Sequence, residues 1–346
     1  MIESRKLATI RKISEINEIK DASNIEVAAI EGWKVVVRKG EYKVNDLVIY
    51  LEIDSFVPNN IAPFLTKPDR FPSEYQGIKG ERLKTVVLRG QVSQGLVLPL
   101  DDTIMELFEK DGGVYYEGDD VSHVLGIVKW EPPVDVSLAG QVKGSFPSFI
   151  RRTSQERCQN LKDEIEAAFY SREKFEITEK LDGTSFTAFI KDGEFGVCSR
   201  NLQLKEDDSN TLWKVARKVN LEVGLKFINK NLAIQAELVG PKIQGNPYNL
   251  KDHKIFVFDI FDIDNYTYLP ASQRYEYVRY LCLSNVPVLE ESLAVTTLQI
   301  DDLLLMAEGK SRLNEKTERE GLVYKSLSNP NFSFKVISNK FLLKQK

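Results

Sequence analysis

The segment ITEKLDGTSF, at residues 177–186, joins a strand pattern to a turn signal and carries a lysine at the junction. The residues before it extend the apolar pattern and predict a strand that ends at Lys180, while Asp182 and Gly183 predict a sharp turn. A lysine beside such a turn is expected to face the cleft that the sheet lines. By composition, K-x-D-G occurs in roughly one chain of this length in ten, so alone it more often marks a solvent-exposed lysine before a hairpin.

Further motifs follow this lysine in a defined order along the chain. They are CSRN with Arg200, AELVGP with Glu237, IFVFDIFD with Phe258 and Asp259, EGLVYK from Glu320 to Lys325, and SFKVISNK with Lys335. Taken singly, each motif also fits an edge-strand carboxylate, a core aromatic residue or a surface lysine. E-G-x-V-x-K is expected in only about one chain in a hundred, so its occurrence together with K-x-D-G is near one in a thousand. The ordered set is therefore far more specific than any of its members.

This ordered set resembles the signature of the covalent nucleotidyltransferases, the superfamily of RNA ligases, ATP-dependent DNA ligases and mRNA capping enzymes. AELVGP, FDIF and EGLVYK are most similar to RNA ligases. The earlier segments GERLKTVVLRGQVSQGLVLP, LGIVKWEPP and RTSQERCQN resemble the Naegleria-type RNA ligases, the fifth RNA ligase group, which carry an OB domain before the transferase domain. One departure concerns the last motif, where related ligases often have two lysines separated by one residue. Here Ile337 follows Lys335 at that spacing, and Lys340 is only a loose substitute.

The resemblance implies an ATP-dependent RNA ligase that joins a 3'-OH to a 5'-phosphate through lysyl-AMP and an adenylylated 5' end. It favours RNA as the partner, in the form of nicked duplexes whose 3'-OH strand is RNA, and a monomeric enzyme is expected. Two alternatives stay open: a DNA ligase or capping guanylyltransferase, and a nonenzymatic OB-type RNA-binding protein. The former enzymes place an OB domain after the last lysine motif, whereas this chain ends shortly after Lys335. The latter leaves the acidic motif residues without a role.

The expected reaction assigns a role to each motif. Lys180 is the expected nucleophile, which attacks the α-phosphate of ATP and releases pyrophosphate. Asp182, Glu237 and Glu320 offer hard oxygen ligands and are expected to hold Mg²⁺ or Mn²⁺, mainly through water. Nucleotide contacts are expected from Glu179, Arg200, Phe258, Lys325, Lys335, Arg157 and Arg152.

Two of these expectations concern the adenine and the charge of the nucleophile. Phe258 is expected to stack on adenine, with Phe256 as the alternative because both lie on one face of a strand. The cations at Lys325, Lys335 and Arg200, with the metal ion, are expected to lower the pKa of the lysine nucleophile from about 10.4, so that a neutral amine forms. Arg157 equally fits a solvated residue near the start of the domain.

The composition leaves this chemistry to Lys, Arg, Asp and Glu. Cys158, Cys198 and Cys282 form no CxxC pair, so a disulfide framework or a structural zinc site is not predicted. His123 and His253 are the only histidines, which argues against a histidine-based triad or a multi-histidine metal centre. The net charge of -4 argues against nonspecific binding to nucleic acid.

The length of 346 residues predicts about two domains. Short Val- and Ile-rich runs up to about residue 100 predict a five-stranded OB-type β-barrel, assigned to residues 1–120. Pro and Gly residues predict an extended linker over 121–149. Residues 150–346 alternate strand and helix patterns and are assigned to a mixed α/β nucleotidyltransferase (ATP-grasp-like ligase) domain, so the whole chain is classed as α+β.

Two helices in the second domain are predicted from local patterns. Thr153 and Glu156 have capping-box spacing, which predicts a helix that opens this domain. The amphipathic segment at residues 210–228 is predicted as one helix. The chain has no run of about 18 apolar residues and no apolar signal segment at its start, so we expect no membrane association and an intracellular, cytoplasmic location.

Overall fold

The computed structural model describes residues 5–131 and 140–344. Contacts between Cα atoms divide the chain into two compact units, with the boundary between residues 133 and 134. Each unit has apolar clusters of its own, so each buries a separate core. No helix among the described residues has both the length and the apolar character needed to span a membrane.

The first unit is built mainly from short strands. Its described elements are β1 (Ala8–Lys12), β2 (Glu15–Glu18), β3 (Ile25–Ile30), β4 (Trp33–Arg38), β5 (Leu47–Leu51), β6 (Ser55–Pro58), β7 (Ser73–Tyr75), β8 (Ile78–Arg82), β9 (Val86–Leu88), β10 (Gln91–Ser93), β11 (Leu96–Pro99), α1 (Asp102–Asp111) and β12 (Val128–Lys129). Strand β5 pairs with β1 and β11, while β3 lies between β2 and β4. The described part has more strands than the five predicted, because runs such as IEVAAIEGWKVVV form a hairpin of two strands.

The segment after α1 packs into the core of this unit. Val121 and Leu125 are buried in the same apolar cluster as Ile49, and β12 pairs antiparallel with β6. The linker predicted over 121–149 is therefore wrong at its start, because burial of these apolar side chains stabilises the first unit. It is also wrong at its end, because residues 142–145 form a strand that pairs with residues 202–204 in the second unit. Residues 132–139, which hold the two consecutive prolines of that prediction, lie outside the described residues.

The second unit carries thirteen described strands and six described helices. The strands are β13 (Val142–Ser145), β14 (Glu156–Arg157), β15 (Lys174–Lys180), β16 (Thr184–Lys191), β17 (Glu194–Cys198), β18 (Leu202–Leu204), β19 (Leu232–Val239), β20 (Lys254–Asp262), β21 (Thr267–Tyr268), β22 (Ser284–Asn285), β23 (Val288–Ala294), β24 (Gly321–Ser326) and β25 (Ser333–Ile337). The helices are α2 (Lys162–Tyr170), α3 (Thr211–Lys218), α4 (Leu221–Ile228), α5 (Ala271–Tyr280), α6 (Ile300–Met306) and α7 (Asn339–Lys344).

Two sheets form the framework of this unit. The larger has the order β13-β18-β17-β16-β19-β20-β21, with β22 beside β20, and the smaller has the order β14-β25-β24-β15-β23. The turn at Asp182 and Gly183 leads from β15 in the smaller sheet to β16 in the larger one. A side chain at Gly183 would place its Cβ 2.5 Å from the carbonyl oxygen of Leu238, so only glycine lets the turn pass so close to β19. The K-x-D-G segment is thus the crossing between the two sheets.

The helices cover the outer faces of these sheets and differ from prediction at two places. Helix α2 begins at Lys162 without a side-chain cap, and Glu156 lies instead in β14, paired with β25. The Thr153 hydroxyl lies 3.2 Å from that of Ser185, so the predicted capping box is wrong. The segment predicted as one helix breaks into α3 and α4 at Asn220, whose φ of 51° is left-handed. Asparagine tolerates this conformation better than most residues.

Candidate active site

A cavity of about 350 Å³ in the second unit brings the sequence motifs together. This volume is in the range of small-molecule binding sites. Nine of the eleven residues predicted from the sequence line it: Glu179, Lys180, Asp182, Arg200, Glu237, Phe258, Glu320, Lys325 and Lys335. Residues far apart in the sequence therefore contribute to one site.

Strand register explains why the lysine motifs converge. In the smaller sheet Lys180 is opposite Gly321, and Val323 is opposite both Thr178 and Lys335. Directly opposed residues of antiparallel strands point to the same face. Lys180, Lys325 and Lys335 therefore share the face that lines the cavity. A Cβ at Gly321 would lie 2.0 Å from the carbonyl oxygen of Val336, which explains the glycine of EGLVYK.

Lys180 is surrounded by carboxylates. Its Nζ lies 2.8 Å from Oε1 of Glu320, and its side chain is 26% exposed. Burial alone lowers the pKa of Lys180, yet the charges of Glu320, Glu237 and Asp182 outweigh burial and raise it. The prediction that the cations of the chain lower this pKa is therefore wrong for the protein alone, because the negative charges of the three carboxylates outweigh the effects that lower it.

Two of these carboxylates, Glu237 and Asp182, hold their protons more tightly than usual. Burial, reinforced by Glu320 and Asp182 and opposed by Lys180, raises the pKa of Glu237 to about 7. Burial and the charge of Glu320 raise the pKa of Asp182 to about 6. Both shifts come mainly from burial, and the charges of neighbouring carboxylates add to them, so a bound divalent cation would favour the ionised forms.

The donor chemistry of this group fits Mg²⁺ or Mn²⁺ held through water. Within residues 5–131 and 140–344, no three acidic, histidine or cysteine side chains converge closely enough to hold one ion directly. Mg²⁺ keeps several of its waters and is commonly bound by one or two carboxylates together with phosphates. Asp182, Glu237 and Glu320 match that mode, which is the one expected from the sequence.

Phe258 and Lys325 also line the cavity and contact each other. Lys325 Nζ lies 2.5 Å from Asp259 Oδ1 and also donates to the carbonyl oxygen of Phe258. Burial lowers the pKa of Lys325, although Asp259 opposes this effect. The Phe258 ring lines the cavity, whereas Phe256 is buried in an apolar cluster and does not line it. The bulge between Gln235 and Ala236 changes the register of β20 near these rings.

A second buried ion pair lies next to this one. Arg274 of α5 donates from Nη2 to both carboxylate oxygens of Glu176 in β15, at 2.6 and 2.8 Å, and the Tyr275 hydroxyl also donates to Glu176. Arg274 and Glu176 are 2% and 1% exposed. The Nη1 atom of Arg274 lies 3.4 Å from the carbonyl oxygen of Phe258. The backbone of Phe258 is thus held by two cations.

Of the three remaining predicted residues, Glu179 lines the cavity, whereas Arg152 and Arg157 do not. The Glu179 carboxylate accepts a hydrogen bond from the backbone N–H of Arg312 at 2.8 Å, and burial raises its pKa. Arg152 and Arg157, both among the described residues, do not line the cavity. Arg157 pairs with Lys335 of β25, which lines the cavity, but Arg157 itself is not one of the lining residues.

Lys340, the loose substitute for the second lysine of the last motif, does not reach the cavity. Lys340 is exposed and pairs with Glu308 at 2.7 Å, and it does not line the cavity. Ile337 is 5% exposed and packs in the interior. Of these positions, Lys335 is the one that faces the cavity.

Sequence reasoning missed several polar residues of the cavity wall. One is Thr178 of β15, on the same strand face as Lys180. The rest are Thr153, Ser154, Gln155, Thr184, Ser185 and Gln244. Thr184 and Ser185 directly follow the K-x-D-G motif, and this adjacency was a usable signal. The other four of these six come from irregular segments whose position depends on the tertiary fold, so no local pattern marked them.

Comparisons with known proteins agree with this geometry. A model of RNA ligases matches residues 173–337, and a model of an OB-fold domain matches residues 7–100. The structure of Naegleria gruberi RNA ligase with PPi is 44% identical, with a TM-score of 0.83, and the match covers 99% of both chains. A lysine-to-alanine mutant of that ligase with ATP and Mn has the same identity and TM-score, over 98% of this chain and 99% of that chain.

Comparison with curated protein sequences found no match. The solved structures nevertheless match almost the entire chain, and the two family models occur in the predicted order. The resemblance and the fold class expected from the sequence are therefore confirmed. This chain belongs to the RNA ligase family, and like the Naegleria gruberi enzyme it is a Naegleria-type ligase with an OB-fold domain before its ligase domain.

Proposed function

We propose that this RNA ligase uses ATP to seal 3'-OH and 5'-phosphate ends through lysyl-AMP and an adenylylated 5' end. The observation that carries the proposal is the position of Lys180, in one cavity with three carboxylates, an aromatic ring and two further lysines. The Naegleria gruberi relative has been solved with ATP and Mn and with AMP and Mn, which supports the choice of nucleotide and metal.

In the first step, the neutral amine of Lys180 forms a bond to the α-phosphorus of ATP while the bond to pyrophosphate breaks. The amine must first lose a proton, which its carboxylate neighbours disfavour. A divalent cation bound at Asp182, Glu237 and Glu320 would supply the positive charge that favours the free amine and the phosphates.

The other cavity residues position the nucleotide. Phe258 offers a ring for adenine to stack on, and Lys325 together with Arg274 fixes its backbone. Lys335 of β25 and Arg200, in the turn between β17 and β18, supply countercharge for the phosphates. Glu179 is a candidate for an adenine contact, and Arg152 and Arg157 are candidates only for a state in which the nucleotide extends beyond the cavity.

We infer that the substrate is a nicked duplex whose 3'-OH strand is RNA, since this is the preference that the Naegleria-type group implies. We also expect a monomer and an intracellular location. Sedimentation of the purified protein would test whether it is a monomer, and a sedimenting species with the mass of a dimer would contradict that expectation.

Transfer of label from α-labelled ATP to the protein tests the proposed chemistry. ATP should label the enzyme in the presence of Mg²⁺ or Mn²⁺, and GTP should not. Label from GTP would instead favour a capping guanylyltransferase, and no label from either would favour a nonenzymatic RNA-binding protein. Matched nicks with an RNA or a DNA 3'-OH strand then test the substrate, and equal sealing of both would contradict the inferred preference.

A further inference from the structure

The loop between β19 and β20, residues 240–253, has a strained backbone beside the cavity. Four of its non-glycine residues have left-handed φ angles: Lys242 (66°), Gln244 (47°), Asn246 (53°) and Asn249 (52°). Such conformations are costly outside glycine, they persist only where the surroundings fix them, and they are frequent at functional sites. Contacts with other segments must therefore fix the backbone of this loop.

Hydrogen bonds from a separate segment fix this loop. The carbonyl oxygen of Pro247 accepts from Nδ2 of Asn314 and from Oγ1 of Thr317, both at 2.8 Å. Within the loop, Asn246 and Leu250 exchange two bonds of 3.0 and 3.1 Å. These bonds determine the position of Tyr248, which lies between them in the sequence.

Tyr248 connects the loop to the K-x-D-G turn. Its side chain is 4% exposed, and its ring packs in the same apolar cluster as Leu181. Its hydroxyl accepts a hydrogen bond of 2.6 Å from the backbone N–H of Asp182. Gln244, from the same loop, donates to the carbonyl oxygen of Gly183 at 3.3 Å. The two consecutive residues of the turn are therefore both held by this loop.

The turn positions two groups of the proposed reaction. It begins two residues after Lys180 and carries Asp182, and both of these side chains line the cavity. A rotation of the peptide group at Asp182 would move its carboxylate relative to the Lys180 amine. Small displacements of reacting groups lower reaction rates strongly.

We propose that Tyr248 is a positioning residue for lysine adenylylation, whose hydroxyl fixes the Asp182 peptide group and thereby the placement of Asp182 relative to Lys180. This role rests on the proposed function, in which Lys180 is the nucleophile. The hydroxyl, rather than the ring, is the essential group, so removal of one oxygen atom tests the role.

Tyr248→Phe keeps the ring and removes only the hydrogen bond. The single-turnover rate of lysyl-AMP formation at saturating ATP should fall about tenfold, as expected when a buried N–H group in an active-site turn loses its acceptor. The KM for ATP should stay within about twofold, because Tyr248 does not line the cavity. Tyr324→Phe is the matched control, since the Tyr324 hydroxyl is equally buried and has no hydrogen-bond partner in the described part of the chain.

Hydrogen exchange of the metal-free protein provides a readout that is independent of activity. The Asp182 amide should be protected in the wild type and in Tyr324→Phe, and it should exchange faster in Tyr248→Phe. If Tyr248→Phe does not fold, Thr317→Val, which loosens the loop at Pro247 from outside the cavity, should change the same rate and the same amide.

The outcomes separate this role from the proposed function. A slower rate together with faster exchange of the Asp182 amide supports the positioning role. An unchanged rate, or a slower rate with unchanged exchange, overturns it. Failure of the wild type to form lysyl-AMP overturns the proposed function and the positioning role of Tyr248 with it, while the exchange data still decide whether the hydrogen bond exists.

Discussion

Replacement of Glu237 by glutamine should abolish adenylylation and yet stabilise the metal-free protein. Burial, together with Glu320 and Asp182, raises the pKa of Glu237 from 4.5 to about 7, although Lys180 opposes the shift. The folded state therefore binds this proton more tightly than the unfolded state, and stability is lost as the pH rises from about 4.5 to 7. At about 1.36 kcal/mol per pKa unit, ionisation costs up to about 3 kcal/mol at pH 8.

Urea unfolding in EDTA measures this effect directly. The Glu237→Gln variant should exceed the wild type in its free energy of unfolding by up to about 3 kcal/mol at pH 8, and by less than about 1 kcal/mol at pH 5. Glu194→Gln, at an exposed position of β17, should change stability by no more than about 0.5 kcal/mol at either pH. A Glu237→Gln protein that is less stable than the wild type at pH 8, or equally stabilised at both values, would refute the reasoning.

Three further changes test other parts of the site. Phe258→Leu should raise the KM for ATP about tenfold or more, since stacking on a base contributes about 1–3 kcal/mol, and an unchanged KM would remove Phe258 from the adenine site. Glu176→Gln should lower the free energy of unfolding by about 3–5 kcal/mol, because Arg274 is left buried without its charge partner. Its control, Glu222→Gln in an exposed pair with Lys226, should cost under about 0.5 kcal/mol, and equal losses would contradict the difference in burial. Glu320→Gln should remove labelling by ATP and shift the melting temperature by only a few degrees, whereas a large loss of thermal stability would assign Glu320 to structure.

The ordered motifs, through the family resemblance that they carry, were sufficient to predict nine of the residues that line the cavity. Lys180 was expected at a strand end before a turn, and Glu237 and Phe258 were expected on strands whose alternation leads to the cavity. The motif glycines are explained by close backbone approach at Gly183 and Gly321, which is a local requirement that the sequence retains. Phe258 lines the cavity and Phe256 does not, but the bulge in the pairing of β19 and β20 near these residues was not indicated by any sequence pattern.

Features that depend on the whole fold could not be predicted in this way. The charge balance around Lys180 reflects which carboxylates lie nearest in space, and the sequence does not order them by distance. Tyr248 and Arg274 act through contacts with segments more than 60 residues away along the chain. At Asn220 the local pattern was misleading, because a continuous amphipathic pattern is divided into two helices in the folded protein.

The identity of the adenylylated residue is the most direct test of the site. The protein should be incubated with ATP and Mn²⁺, digested, and its peptides mapped by mass spectrometry, with Lys180→Met treated in parallel. We predict one AMP group on the wild-type peptide that contains Lys180 and no adenylate on Lys180→Met. The Lys180→Met variant should still seal a nick that already carries AMP on its 5' end. Adenylate on any other residue, or persistent labelling of Lys180→Met, would contradict the assignment of Lys180 as the nucleophile.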